Sequence, residues 1–146
     1  MTETTTVYLT ATDTTVGFIS QSTERLDAIK GRPVHKRYIT ALPSLRALKR
    51  RTRIPAHHRN RVRRARRTTF ILPDGRSWRI IHDPRHRRLI RQLGWAYTTS
   101  ANRSSEAYDE AWAREVADVV IEPLNITDSM PSTILKLSKT HLRQLR

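Results

Sequence analysis

Two short polar clusters lie far apart in the sequence and share one chemical property. Lys30-Gly31-Arg32-Pro33 and Thr99-Ser100-Ala101-Asn102 each set two side chains, two residues apart, that suit phosphate or carboxylate oxygens. Lys and Arg neutralise anionic oxygens, Arg through a planar pair of N–H donors, while a Ser hydroxyl and an Asn amide supply neutral hydrogen bonds that fix orientation. Each cluster also has a plainer use. Lys30 and Arg32 suit a helix C-terminus, where positive charge complements the last carbonyls, and Asn102 is a common turn former.

The elements that must position these clusters follow from periodicity and punctuation. Residues 6–9 and 16–19 read as short strands around the turn Thr12-Asp13-Thr14, and Ser22 with Glu24 opens a helix through Leu26 and Ile29. That helix delivers Lys30 at its end, and Gly31 and Pro33 break it, leaving Arg32 and Lys36 in a loop where long cations reach a ligand. A strand over 38–42 and a helix from Ser44 to Leu48 come next. Pro55 suits the first turn of another helix, which carries His57, His58, Arg59, Arg61, Arg63 and Arg64 on the way to Arg66 and Arg67. Its apolar anchors are only Ile54, Val62 and Ala65, so it must lie on the surface with its charges outward.

Pro73-Asp74-Gly75 between 68–72 and 77–81 is a hairpin signal. Asp83 before Pro84 starts a helix that Gly94 ends. A strand over 95–99 enters the Ser100-Ala101-Asn102 loop, followed by a helix over 108–117 and strands over 118–121 and 132–137. Strands and helices alternate, which predicts an α/β chain (α+β in stricter schemes) with a mixed sheet. At 146 residues and 37% hydrophobic content, the chain is expected to form one domain over 1–146.

The net charge of +15 is concentrated. Between Arg46 and Arg91 there are 17 Lys and Arg against Asp74 and Asp83 alone, and the rest of the chain balances. Such a block cannot be buried and must form an exposed positive surface. Nucleic acid is the commonest partner for it; general solubility is the other explanation. With no apolar run near the roughly 20 residues of a membrane span, no membrane association is expected, and the polar start suits a cytoplasmic protein. Zero cysteines exclude disulfides, thiolate zinc sites and a Cys nucleophile.

The histidines offer less. His57 and His58 are adjacent, with no acid nearby, and are expected to be solvated. His82 and His86 share helical spacing but lack a third ligand, so no metal site is expected. Trp78, Trp95 and Trp112 read as packing residues before base-stacking platforms.

The order Thr12-Asp13-Thr14, Gly17, Lys30-Gly31-Arg32-Pro33 with Lys36, Arg79, Ser100-Ala101-Asn102, Pro131-Ser132-Thr133 and Leu145-Arg146 resembles the YrdC/YciO-like family of threonylcarbamoyl-AMP synthases, in an unusually short form. The resemblance implies a twisted mixed sheet flanked by helices around a basic cavity. It implies nucleotidyl transfer: L-threonine, bicarbonate and ATP give threonylcarbamoyl-AMP and pyrophosphate, with Mg2+ carried by the nucleotide. The product serves t6A modification at position 37 of tRNA, which makes tRNA and a downstream threonylcarbamoyl transferase complex the implied partners.

By the same resemblance, Lys30, Arg32, Ser100 and Asn102 are the catalytic tetrad on the nucleotide phosphates and the reacting carbamate, with Lys36 and Arg146 added for ATP. Arg79 grips the amino-acid carboxylate, and Thr12, Thr98 and Ser132 line the threonine pocket. Arg146 is expected on a free chain end. Against these stand structural uses: Thr12 and Ser132 as turn or cap residues, and Arg79 as one more surface arginine. Ala11, Val16, Arg64-Ala65-Arg66-Arg67 and Ser105 depart from the family pattern. Two other functions therefore stay open. One is an inactive module that binds tRNA or double-stranded RNA through Arg59, Arg61, Arg63, Arg64, Arg66 and Arg67; the other is carbamoyl transfer to a different acceptor.

Overall fold

Short apolar runs broken by turn residues build one nine-stranded sheet. The structure, a computed structural model, describes residues 4–31, 38–125 and 130–146. Strands β1 (Tyr8–Ala11), β2 (Val16–Ser20), β3 (Ile39–Leu42), β4 (Thr68–Ile71), β5 (Ser77–Ile80), β6 (Ala96–Ser100), β7 (Val119–Ile121), β8 (Thr133–Leu137) and β9 (Leu142–Gln144) lie in the order β7-β1-β2-β6-β3-β5-β4-β8-β9. The sheet is mixed: β1–β7, β3–β5 and β4–β8 pair parallel and the other neighbours antiparallel.

The helices begin and end where side chains satisfy their free backbone groups. In α1 (Thr23–Lys30) the Ser22 hydroxyl accepts from Arg25 N at 3.2 Å, and Gly31 closes the helix in the left-handed region at φ 64°. Ser44 caps α2 (Leu45–Lys49), Asp83 caps α4 (Pro84–Leu93) and Asp109 caps α5 (Glu110–Val116) in the same way. The expected helix after Pro55 is divided: Ala56–His58 form a tight 3-10 turn, and α3 (Arg59–Arg64) follows.

Alternation along the strands sorts the core into layers. On one face Leu9 and Phe18 pack with Leu26 of α1 and Ala113 of α5, and farther along Leu42, Trp78 and Ile80 pack with Leu48 of α2 and Val62 of α3. The opposite face carries Ile19, Ala41 and Ala96 beneath Leu89 and Ile90 of α4. Beside α4 this second face is left open, and the cavity described below lies there.

Two expectations need correction. His57 is exposed, but His58 is buried at 1% exposure, because the 3-10 turn directs it inward toward the Ser138–His141 backbone while its ring meets His57 edge-on. Arg146 does not hang free. β9 pairs with β8, Ile134 N donates to Arg146 O at 2.9 Å, and Leu145 N donates to Ile134 O at 2.8 Å. β9 has exposed side chains and no apolar alternation, so backbone pairing alone holds it, which no sequence pattern announces.

Candidate functional site

A cavity of about 220 Å3 opens on the face that α4 leaves uncovered. Its walls come from the β1–β2 turn (Thr12, Thr14, Thr15), β3 (Ile39), β5 (Arg79), β6 (Thr98, Ser100), the residues before β8 (Pro131, Ser132) and Arg146. Gly17 explains the close approach of the turn to β6. A Cβ there would stand 2.9 Å from Thr99 O and 3.0 Å from Thr12 Cγ2, so a side chain would push the turn away from the cavity wall.

The Thr12 hydroxyl holds that turn together. It accepts from Thr14 N at 3.2 Å and Thr15 N at 3.1 Å and donates to Thr15 O. Its oxygen is therefore committed to the backbone, while the residue still lines the cavity.

Arg79 enters from β5 and is 4% exposed, so it is no surface arginine. Its Nη2 lies 3.4 Å from Asp13 Oδ1, and His86 Nδ1 of α4 lies 3.7 Å from the same oxygen. Burial pushes the Asp13 carboxyl up, but His86 and the Arg79 charge outweigh it and hold Asp13 below the usual carboxylate range. Burial lowers the Arg79 pKa, Asp13 opposes that, and the nearby Arg146 charge adds to the lowering. Two guanidinium groups thus stand close together at one cavity, with the Asp13 carboxylate behind Arg79. An anion between them would relieve their repulsion and accept their N–H donors.

Arg146 is aimed by Ser132. Its Nε donates to Ser132 O at 2.8 Å and its Nη2 to Ser132 Oγ at 3.1 Å, while Thr69 Oγ1 lies 2.8 Å from that same Oγ. Thr98 of β6 lines the same cavity, as does Ser100 at the end of that strand.

Lys30 supports the Ser100–Asn102 loop from behind. Its ammonium, on a residue 6% exposed, donates to Ser100 O and to Asn102 O, both at 2.7 Å. The Asn102 amide donates to Arg103 O at 2.9 Å and Glu106 O at 2.7 Å, and Ser100 Oγ donates to Asn102 Oδ1 at 2.5 Å. A fixed cation therefore sits under a loop whose polar side chains are locked to one another.

Of the residues singled out from the sequence, Thr12, Arg79, Thr98, Ser100, Ser132 and Arg146 line one cavity. Lys30 and Asn102 adjoin it through the Ser100 loop. Arg32 and Lys36 lie outside the described residues. Arg59, Arg61, Arg63, Arg64 and Arg66 are exposed on or just after α3, and Arg67 is half-buried. Since Val62 anchors α3 to the other face, Arg59, Arg61, Arg63 and Arg64 stand on the side away from the cavity, while Arg67 O accepts from Thr133 N at 3.0 Å, next to the cavity residue Ser132. Sequence reasoning misses Asp13 and His86 as parts of the site. The acid of Thr12-Asp13-Thr14 is the only signal for either, and no spacing links it to a histidine 73 residues later. Among the described residues no group of three or more His, Asp or Glu side chains is placed to hold a metal ion, and no helix is long and apolar enough to cross a membrane.

Residues 1–146 match the family model Sua5_yciO_yrdC, described as telomere recombination. Solved structures share the fold. The solution structure of MTH1692 from Methanobacterium thermoautotrophicum is 23% identical, with a TM-score of 0.73 over 97% of this chain and 79% of that one. Sua5 of P. abyssi complexed with L-threonine is 17% identical, with a TM-score of 0.78 over 97% of this chain and 50% of that one, so this chain spans about half its length. YciO of E. coli is 18% identical, with a TM-score of 0.73 over 97% and 82% of the two chains. No curated protein sequence matches the chain.

Proposed function

The chain belongs to the Sua5/YciO/YrdC family, and from that premise we propose that it forms L-threonylcarbamoyladenylate and pyrophosphate from L-threonine, bicarbonate and ATP, for t6A modification at position 37 of tRNA. Two guanidinium groups and several hydroxyls around one cavity carry this reading. The cavity volume of about 220 Å3 lies below the about 300–1,000 Å3 of drug-sized ligand sites and suits a small polar molecule. That P. abyssi Sua5, which shares the fold, has been solved with L-threonine supports the choice of ligand.

In this reading Arg79 receives the threonine carboxylate in two-pronged fashion, with Asp13 fixing the guanidinium so that little reorganisation accompanies binding. Thr98 and Ser132 orient the substrate hydroxyl. The threonine nitrogen adds to the carbon of bicarbonate with loss of water, and an oxygen of the resulting carbamate attacks the α-phosphorus of ATP. The bond to the β-phosphate oxygen breaks and pyrophosphate leaves. The protein's work is positioning and charge neutralisation. Ser100 and Asn102, braced by Lys30, would border the reacting carbamate. Arg146, Arg32 and Lys36 would neutralise phosphate oxygens, and magnesium would arrive on the nucleotide. A cytoplasmic setting and a downstream threonylcarbamoyl transferase complex go with this role.

Purified protein given threonine, bicarbonate, ATP and magnesium is expected to release pyrophosphate in proportion to threonine occupancy. No stimulation by saturating threonine overturns the proposal, and threonine-independent cleavage points to another carbamoyl acceptor. The exposed arginines of α3 favour one second reading, a binding module for tRNA or double-stranded RNA without catalysis. Its signature is tRNA affinity that survives Lys30→Ala in a protein that releases no pyrophosphate.

A further inference from the structure

The face of the sheet opposite the cavity carries a second hollow. Its floor is one register row, Thr40 of β3 opposite both Trp78 of β5 and Tyr97 of β6. Trp95 packs on the α2/α3 side of this face and Tyr97 on the α1/α5 side, so the hollow of about 320 Å3 lies in the gap between the two helical layers. Arg50, Arg51 and Arg76 form its walls.

Three features suit it to a ligand with both a flat ring and negative charge. Trp95 and Tyr97 meet edge to face at 5.1 Å between centroids, and the Arg51 guanidinium lies over the Trp95 ring at 4.6 Å, occupying a place where another planar group could stack. The nearby acid, Asp74, is already engaged. It accepts from Thr52 Oγ1 at 2.5 Å, Arg76 N at 2.8 Å and Trp78 Nε1 at 3.1 Å, so it ties the arginine-bearing segment after α2 to the β4–β5 turn. Arg50 and Arg51 also line an adjoining hollow with Arg53 and Arg59, which extends the positive track toward α3.

We infer that this groove binds single-stranded nucleic acid, one unpaired base stacking at Trp95 while flanking phosphates lie against Arg50, Arg76 and Arg53. Stacking on an aromatic ring within a basic groove is the general mode of single-strand recognition. A duplex keeps its bases stacked on one another and could use only the arginines. The groove does not depend on the proposed catalysis, and its residues lie outside the cavity.

The test is fluorescence anisotropy of the full chain with labelled 12-nucleotide single-stranded RNA, single-stranded DNA of the same sequence, and a duplex. Binding to a single strand stronger than to the duplex is expected, and relative affinity for the RNA and DNA arms tells which source fits better. Trp95→Leu should weaken single-strand binding about tenfold, and Trp95→Phe should restore most of it. Arg50→Gln with Arg76→Gln should lower the slope of log affinity against log salt by about 0.7 for each phosphate that is no longer neutralised. Arg88→Gln with Arg91→Gln, the same reduction of charge on α4, should change it little. Pyrophosphate release should persist in every groove variant, which separates failure here from failure of the enzymatic reading. Binding no weaker in folded Trp95→Leu, equal binding of the duplex, an equal effect of the α4 variant, or no binding at all overturns the inference.

Discussion

Arg79 Nη2 lies 3.4 Å from Asp13 Oδ1, and the two side chains are only 5% and 6% exposed. A buried ion pair of this kind is a weak source of stability but a firm constraint on geometry, because neither charge can turn away without losing its partner. In the proposed function it would set where the threonine carboxylate meets the guanidinium.

Removing the carboxylate while keeping its shape isolates that constraint. Asp13→Asn is expected to destabilise the fold by about 3–5 kcal/mol, the range for breaking a buried pair, and to raise KM for threonine more than it lowers kcat. Denaturant melts and initial rates check the two effects.

The same pair fixes an acid limit. The Asp13 pKa is depressed in the folded chain, so its contribution is fully present above the unfolded value near 3.8 and is lost as pH falls through the lower folded value. Thermal melts between pH 6 and pH 2.5 should show that loss below about pH 4 in the wild type and a shallower decline in Asp13→Asn.

His58 acts at milder pH. Burial first and then the His57 charge lower its pKa, with a lesser contribution from Arg61, and the Ser138 and His141 backbone opposes them without reversing the direction. A folded pKa below the unfolded value means that protonation favours unfolding, so stability falls as pH drops below about 6.5. His82 shifts the same way. His58→Leu should flatten part of the decline in melting temperature between pH 7.5 and pH 5.5, leaving the share due to His82.

Gly17 is a steric prediction. Gly17→Ala places a methyl group 2.9 Å from Thr99 O, which should cost about 1–3 kcal/mol as overpacking. Because the displaced turn carries Thr12–Thr15, threonine affinity should fall as well, measured by titration on protein that remains folded.

Much of the fold is legible in the chain itself. Ser22, Ser44 and Asp83 cap helices, and Pro73-Asp74-Gly75 turns a hairpin, because each acts on neighbours in the chain. The order of strands is not, since β1 pairing with β7 and β4 with β8 depends on contacts over a hundred and over sixty residues away. The same limit applies to the site. The residue types of Lys30, Ser100 and Asn102 are visible, but not that the Lys30 ammonium is spent on the carbonyls of the loop. β9 is hidden because backbone pairing leaves no mark on side-chain pattern, and the seating of the Arg146 side chain on Ser132 is hidden with it because that strand carries Arg146 there. His58 departs from expectation because a 3-10 turn rotates residues differently from the α-helix expected to begin at Pro55.

Calorimetric titration of the full chain with L-threonine tests most directly whether the cavity between Arg79 and Arg146 receives an amino-acid carboxylate. Saturable one-to-one binding is expected, lost or weakened at least tenfold in Arg79→Gln and unaffected in the groove variant Arg50→Gln. Absence of binding in the folded wild type, or equal affinity in Arg79→Gln, would contradict the account.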